Sequence, residues 1–261
     1  SGLSFAGADY APGSGFVSRN DYTSANIDFQ YGWLSPEKAA LKKHDGSVYA
    51  SVYMRNDDGS LESVRAGGSW DFSFKSSASA RTSLNMMVED ITYNLSFPED
   101  LTVPIGKYTF VEWQSRYSVA GGKLFRGGIS TTLGSFYDGW RAQASYSPTW
   151  NINRFVELAG SISFTHLEFP ERNQSANIQL IGLKAQIGFN TKVSLNSFVQ
   201  YNTAANILAS NVRFRYNFAE GNDLWLVYTE NLNTDRHREE LVLPVSSVRT
   251  VLLKYTYTFG S

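Results

Sequence analysis

Cysteine is absent from the 261 residues, so no disulfide framework, Cys-containing zinc site or thiol nucleophile is available. Proline is scarce at 7 residues, and His44, His166 and His237 are the only histidines. No apolar run approaches the ~18 to 20 residues of a membrane helix, which excludes a helical membrane protein. Charge is nearly balanced, 23 Lys and Arg against 24 Asp and Glu, so no basic field exists to hold nucleic acid. The opening Ser1-Gly2-Leu3 lacks the basic region and apolar core of a signal peptide, and an exported protein is therefore expected here in mature or truncated form.

Aromatic residues, by contrast, make up 15% of the chain, and they alternate. At the C-terminal end Val251, Leu253, Tyr255, Tyr257 and Phe259 share one face of an extended strand, with Thr250, Lys254, Thr256 and Thr258 on the other. A last strand ending on an aromatic, with Tyr255 and Tyr257 before it, looks like the terminal signal of a bacterial outer-membrane barrel. Gly260-Ser261 reads as an appended remnant. The same grammar recurs upstream. Ala25, Ile27, Phe29, Tyr31 and Trp33 oppose Asn26, Asp28 and Gln30; Val64, Ala66, Trp70, Phe72 and Phe74 oppose Arg65, Asp71 and Lys75. Val111, Trp113 and Tyr117 oppose Glu112, Gln114 and Arg116, and Phe125, Ile129, Leu133 and Tyr137 oppose Arg126 and Ser130. Trp140, Ala142 and Ala144 oppose Arg141 and Gln143; Val156, Leu158 and Ile162 oppose Glu157; Ile181, Leu183 and Ala185 oppose Lys184. Val212, Phe214 and Tyr216 oppose Arg213 and Arg215, whereas Trp225 and Val227 interrupt the alternation of the strand that follows. Tyr31, Trp33, Trp113, Trp140, Tyr255 and Tyr257 are candidates for interfacial girdles, with packing within the strands as the alternative.

About thirteen strands of ten or so residues result, the length of tilted membrane-spanning strands. Residues 1–21 read as a loop or lead-in, residues 34–47 as a polar turn or short helix, and residues 90–105 as a long connection. Asn56-Asp57-Asp58-Gly59, Ala120-Gly121-Gly122-Lys123 and Asp138-Gly139 read as turns. A half-buried soluble sheet also alternates. Two features argue against it: the apolar faces are nearly free of charge while the opposite faces carry charge on most strands, and short connections alternate with longer ones. With Phe259 at the periplasmic end, 90–105 and 231–247 fall outside, and 34–47 is an unusually long inside turn. Thirteen is odd, whereas bacterial single-chain barrels have even strand numbers. Either residues 1–21 hide a strand or an upstream strand is missing.

Five strings carry a further resemblance: Gly15-Phe16-Val17-Ser18-Arg19-Asn20-Asp21, Val103-Pro104-Ile105-Gly106-Lys107-Tyr108, Gly134-Ser135-Phe136-Tyr137-Asp138-Gly139, Ser197-Phe198-Val199-Gln200-Tyr201-Asn202 and Asp223-Leu224-Trp225-Leu226-Val227-Tyr228. In order, over nearly the whole chain, they resemble a family of unknown function in which a family-nine-type carbohydrate-binding-like domain precedes a C-terminal outer-membrane barrel. The resemblance implies that this chain is the C-terminal part of a longer protein. It supplies no catalytic residues.

Among the residues themselves, Gly121-Gly122-Lys123 lacks the spacing of a phosphate loop, and Asn56 to Gly59 lacks the ligand pattern of a calcium loop. His44 and His237 fall in polar segments read as solvated. His166 is followed by Leu167-Glu168, with no serine two residues on, which argues against a phospholipase-type barrel. The mixed charges of Asp235 to Glu240 read as a solvated loop more readily than as a lipopolysaccharide site. The expectation is an all-β, antiparallel transmembrane β-barrel of about 12 to 14 strands over residues 22–259, or the C-terminal part of a larger one. Arg126, Arg141, Arg213, Arg215, Lys184, Lys254, Asp71, Glu112 and Glu157 are the candidate lumen-facing residues, pairing across the interior or tuning which solutes pass. The expected activity is a pore or solute-binding channel without enzymatic function, metal or cofactor. Expected partners are outer-membrane lipid and lipopolysaccharide, the barrel-assembly machinery through the C-terminal strand, and small solutes, which the resemblance implies are glycan-derived. The alternatives are an outer-membrane hydrolase and a non-conducting structural or secretion-associated barrel.

Overall fold

The computed structural model describes residues 1–10, 19–98, 101–119, 124–238 and 240–258. The turn read at Ala120 to Lys123, Pro12-Gly13, Glu239, and Phe259 with Gly260 and Ser261 lie outside the described residues. The chain forms strands β1 (Gly2–Ala6), β2 (Tyr22–Leu34), β3 (Leu41–Arg55), β4 (Leu61–Phe74), β5 (Ala78–Ile91), β6 (Leu95–Ser96), β7 (Thr102–Val103) and β8 (Gly106–Val119). It continues through β9 (Phe125–Phe136), β10 (Gly139–Asn153), β11 (Val156–Phe169), β12 (Gln174–Gly188), β13 (Val193–Asn202), β14 (Ile207–Ala219), β15 (Asn222–Asn233) and β16 (Ser246–Thr256). Fourteen strands make one antiparallel sheet in chain order, while β6 and β7 pair separately. No α-helix occurs among the described residues; one 3-10 turn spans Pro170–Arg172. Among the described residues the strand order runs from β1 to β16, and no pairing joins these two.

Two compact units divide the chain. The first comprises Ser1–Ser118, Ser130–Gln143 and His166–Ala176. Its β2, β3, β4 and β5 pair in long antiparallel registers, such as Tyr22 opposite Arg55 through to Leu34 opposite Lys43. On the polar parity Ser47 and Ser69 share a hydrogen bond of 2.7 Å, and Tyr49 donates to Asn85 at 2.7 Å. Gly67 admits that tyrosine: a Cβ there would lie 2.7 Å from the Leu84 carbonyl oxygen and 3.1 Å from the Tyr49 ring.

Two segments differ from the sequence reading. Within the stretch read as a loop, β1 pairs Gly2 to Ala6 with Asn26 to Tyr22, which raises the main-sheet count to fourteen and makes it even. The segment 34–47 is mostly strand, because β3 begins at Leu41 and only residues 35–40 turn. Its alternation persists but is disguised. The apolar parity there is occupied by His44 and Gly46, and His44 stacks on Trp33 at 5.1 Å between ring centroids and on Trp70 at 5.7 Å. The Trp70 indole N–H donates to His44 Nδ1 at 3.2 Å. His44 is thus part of an aromatic cluster, not a solvated loop residue.

In the second unit, Val119–Ile129, Ala144–Thr165 and Asn177–Ser261, β13 pairs with β14 from Val193 opposite Tyr216 to Asn202 opposite Ile207. Strands β14, β15 and β16 follow, with register shifts only between Asn217 and Ala219 and between Asn231 and Leu232. Trp225 stands opposite Arg215 and Lys254, and Val227 opposite Arg213 and Leu252, so these interrupting residues lie on the polar parity.

The fully buried apolar side chains cluster in the first unit. Leu101 and Val103 come from the 92–105 connection, Phe110 from β8, Phe136 from β9, and Leu167 and Phe169 from β11. The rest of the sheet has no core of its own among the described residues.

A cavity-free close approach makes Gly67→Ala costly, by about 1–3 kcal/mol, and it should lower the midpoint of chemical unfolding followed by tryptophan fluorescence. Gly68→Ala is the control, since a Cβ there meets nothing nearer than 3.4 Å. In the 56–60 turn, hydrogen bonds from the Ser60 hydroxyl and amide hold the Asp58 carboxyl below its ordinary range. Its stabilisation is present above the usual carboxylate pKa of about 4 and is lost as pH falls through the lowered folded value. The Ser60 amide resonance should titrate in that acidic range, and Asp58→Asn should abolish the titration.

Candidate functional site

The first unit carries a buried ion pair beneath an aromatic cap. Glu112, on the polar parity of β8, is 1% exposed and pairs with Arg141 of β10. The Arg141 guanidinium lies 4.6 Å from the centre of the Phe136 ring. Phe97 packs edge-on to Phe136 at 5.6 Å, and Phe110 does so at 5.9 Å. The 92–105 connection is tied to the strands where the Tyr108 hydroxyl donates to the Pro104 carbonyl at 2.8 Å. Beside the cap, Arg172 donates to Asp138 at 2.7 Å and covers the Phe169 ring at 4.2 Å.

Tyr137 locks this arrangement. The two-residue connection between β9 and β10 places it at φ 53°, a left-handed conformation uncommon for a bulky side chain. Its ring packs 5.0 Å from Phe110 and 5.4 Å from Tyr108, and its hydroxyl donates to Glu89 at 2.9 Å. Burial first, and then the Glu89 carboxylate, push the phenol pKa up, so it stays a neutral donor. The sequence reading set Tyr137 on the apolar face of β9; the turn carries it into the cap instead.

Elsewhere the polar parity is paired in smaller sets. In the first unit Arg81 reaches Asp71 at 3.6 Å and donates to Ser69 at 3.0 Å. In the second, Arg126 pairs with Glu157 at 2.7 Å. With the Asn151 and Gln186 amides oriented to match donors with acceptors, Asn151 bridges that pair and Gln186 links Glu157 to Lys184. Arg215 donates to Asp223 at 2.7 Å, and Arg213 donates to Asn211 at 2.7 Å. Lys254 faces Trp225 across β15 and β16. Within the units Asp71, Glu112, Arg126, Arg141, Glu157 and Arg215 form local ion pairs, whereas among the described residues Lys184, Arg213 and Lys254 have no carboxylate within ion-pair distance.

On the apolar parity Trp33 stacks on Trp70 at 5.4 Å, and the Trp113 indole donates to Thr82 at 2.8 Å. Tyr31 packs edge-on to Trp33 at 4.8 Å. Tyr255 stacks on Phe218 at 5.9 Å and neighbours Tyr257. His166 packs against Trp140 at 4.8 Å and lies 3.6 Å from Glu168. His237 sits in the 234–245 connection, where its amide donates to Asp235 at 3.0 Å. Sequence reasoning missed the cap. Its one signal was the occurrence of Phe110 and Phe136 at positions of polar parity.

Removing one partner of the buried pair, as in Arg141→Met, leaves Glu112 as an uncompensated buried charge, at a cost of about 3–5 kcal/mol. Equilibrium unfolding should show that loss, and the double variant with Glu112→Gln should recover most of it in a double-mutant cycle.

No protein-family model matches this sequence, and no curated protein matches it at a significant level.

Proposed function

We propose that this chain is a transmembrane β-barrel of a Gram-negative outer membrane, or the C-terminal part of a larger one, whose polar parity lines a path for solutes. One observation carries the reading: many large apolar side chains of the sheet are exposed, while among the described residues the large buried apolar ones are those of the cap. Ile27, Phe29, Leu84, Leu183, Val251 and Leu253 are each more than half exposed. Leaving such side chains in water forfeits about 1.5–3 kcal/mol each; hydrocarbon around the sheet removes that cost.

Charge placement agrees with a lipid-facing side. Glu230 and Arg249 depart from the pattern, opposite each other on the apolar parity of β15 and β16. They neutralise each other, with Arg249 Nε donating to Glu230 at 2.9 Å, near the 234–245 connection. A charge at the midplane costs about 2–4 kcal/mol but only ~0–1 near an interface. Barrel closure, lipid and lipopolysaccharide as surroundings, and recognition of the C-terminal strand by the assembly machinery all belong to this proposal. The resemblance to the barrel region that follows a carbohydrate-binding-like domain makes glycan-derived solutes the class to test. The aromatic cap favours a second reading, a non-conducting structural barrel.

Planar-bilayer recordings separate the two. Discrete conductance steps are expected, and loosening the cap with Arg141→Met should lengthen open dwell times. A folded, heat-modifiable barrel without conductance would leave the structural reading, and a monomer soluble without detergent would refute the membrane reading altogether.

A further inference from the structure

On the polar parity of the second unit, three neighbouring strands form a grid of two rows. Lys184, Phe198 and Asn211 make one row and Gln186, Asn196 and Arg213 the other, each set directly opposed across β12, β13 and β14. Phe198 is out of place there. It is 39% exposed, and its ring edge lies 3.4 Å from where a Cβ of Gly182 would stand, with the Ser161 hydroxyl closer still, so the ring extends over the space left by the glycine. Lys184, Asn196, Phe198, Asn211 and Arg213 line one cavity of about 290 Å³. Among the described residues neither Lys184 nor Arg213 has a carboxylate within ion-pair distance, unlike Arg126, Arg215 and Arg249 nearby in the same unit. Asn211 holds Arg213 in place, accepting from its Nε at 2.7 Å while donating to Thr229 at 2.7 Å.

The geometry points to a subsite for acidic sugars of the uronate class. A carboxylate compensates Lys184 and Arg213, the sugar ring lies on Phe198, and the remaining donor and acceptor capacity of the Asn196 and Asn211 amides meets its hydroxyl groups. The cavity is near the ~300 Å³ lower limit of small-molecule sites, the size for a single ring. Asn196 also lines an adjoining cleft of about 510 Å³ with Asn153, Phe155 and Glu157, which provides room for a second residue of an oligomer. An aromatic carboxylate would use the two cations and the ring but offer no hydroxyl groups to Asn196 and Asn211. The inference rests on reading the polar parity as solute-facing.

Calorimetric titration of the purified protein in detergent with sodium glucuronate, glucose and acetate tests it. Glucuronate is expected to bind about tenfold or more tightly than glucose, and Lys184→Gln or Arg213→Gln should each remove about that factor. Phe198→Ala should weaken glucuronate and leave acetate unchanged, and the glucuronate affinity should fall with salt. All three variants alter part-exposed side chains, and each is compared only after its unfolding midpoint matches the parent. Equal affinity for glucuronate and glucose, equal affinity for glucuronate and acetate, or no binding of any of them overturns the subsite. The titration needs no membrane. Binding lost while conductance is retained overturns the subsite alone, and conductance absent while binding is retained overturns only the channel.

Discussion

Strand register is the constraint on which the rest of this structure depends. Successive side chains project to opposite faces, so a slip of one residue on any strand would carry its arginines and glutamates to the apolar side. The ladder resists this by length. β13 and β14 pair without a break from Val193 to Asn202, and β2 pairs with β3 through the whole of Tyr22–Leu34. Shifts that do occur in the second unit, at Asn217 to Ala219 and at Asn231 to Leu232, fall near strand ends, where little of the strand remains to be displaced.

Given that register, burial is distributed differently from a soluble sandwich, in which facing sheets enclose the apolar side chains between them. Here the enclosed apolar side chains are mainly those of the cap, which rests on the polar parity of β8, β9 and β11 and encloses the Glu112–Arg141 pair. A desolvated carboxylate needs its partner, so the pair ties the cap to one arrangement of β8 and β10. Outside the cap the polar parity holds short-range pairs and a few aromatic residues, Phe198 and Trp225, that do not fit a purely polar face.

Those misfits mark the limit of what pattern reading could see. Alternation identified the thirteen main-sheet strands that follow β1, because each repeats the period over enough residues to outweigh an exception, but not the two-residue strands β6 and β7. It failed at Lys42 to Gly46, where His44 and Gly46 occupy apolar positions: histidine counts as polar until its ring is seen stacked on Trp33 and Trp70. It failed at Gly2 to Ala6, since five residues give the period little room and the pairing with β2 is what makes them a strand. Of the site, the charged residues of polar parity were legible one by one. Their partners were not, because Arg126 meets Glu157 and Arg141 meets Glu112 across strands that the sequence does not order.

Sequence alone determined the class and the two faces: period two is a local property of extended backbone, and composition excluded membrane-spanning helices, disulfides and thiol chemistry. Tertiary structure decided what happens where a residue breaks its own parity. Tyr137 enters the cap because its turn takes a left-handed φ, and Phe198 stands beside Lys184 and Asn211, with Arg213 two residues on, because three strands align them. Both outcomes depend on neighbours far away in the chain, and no local period encodes them.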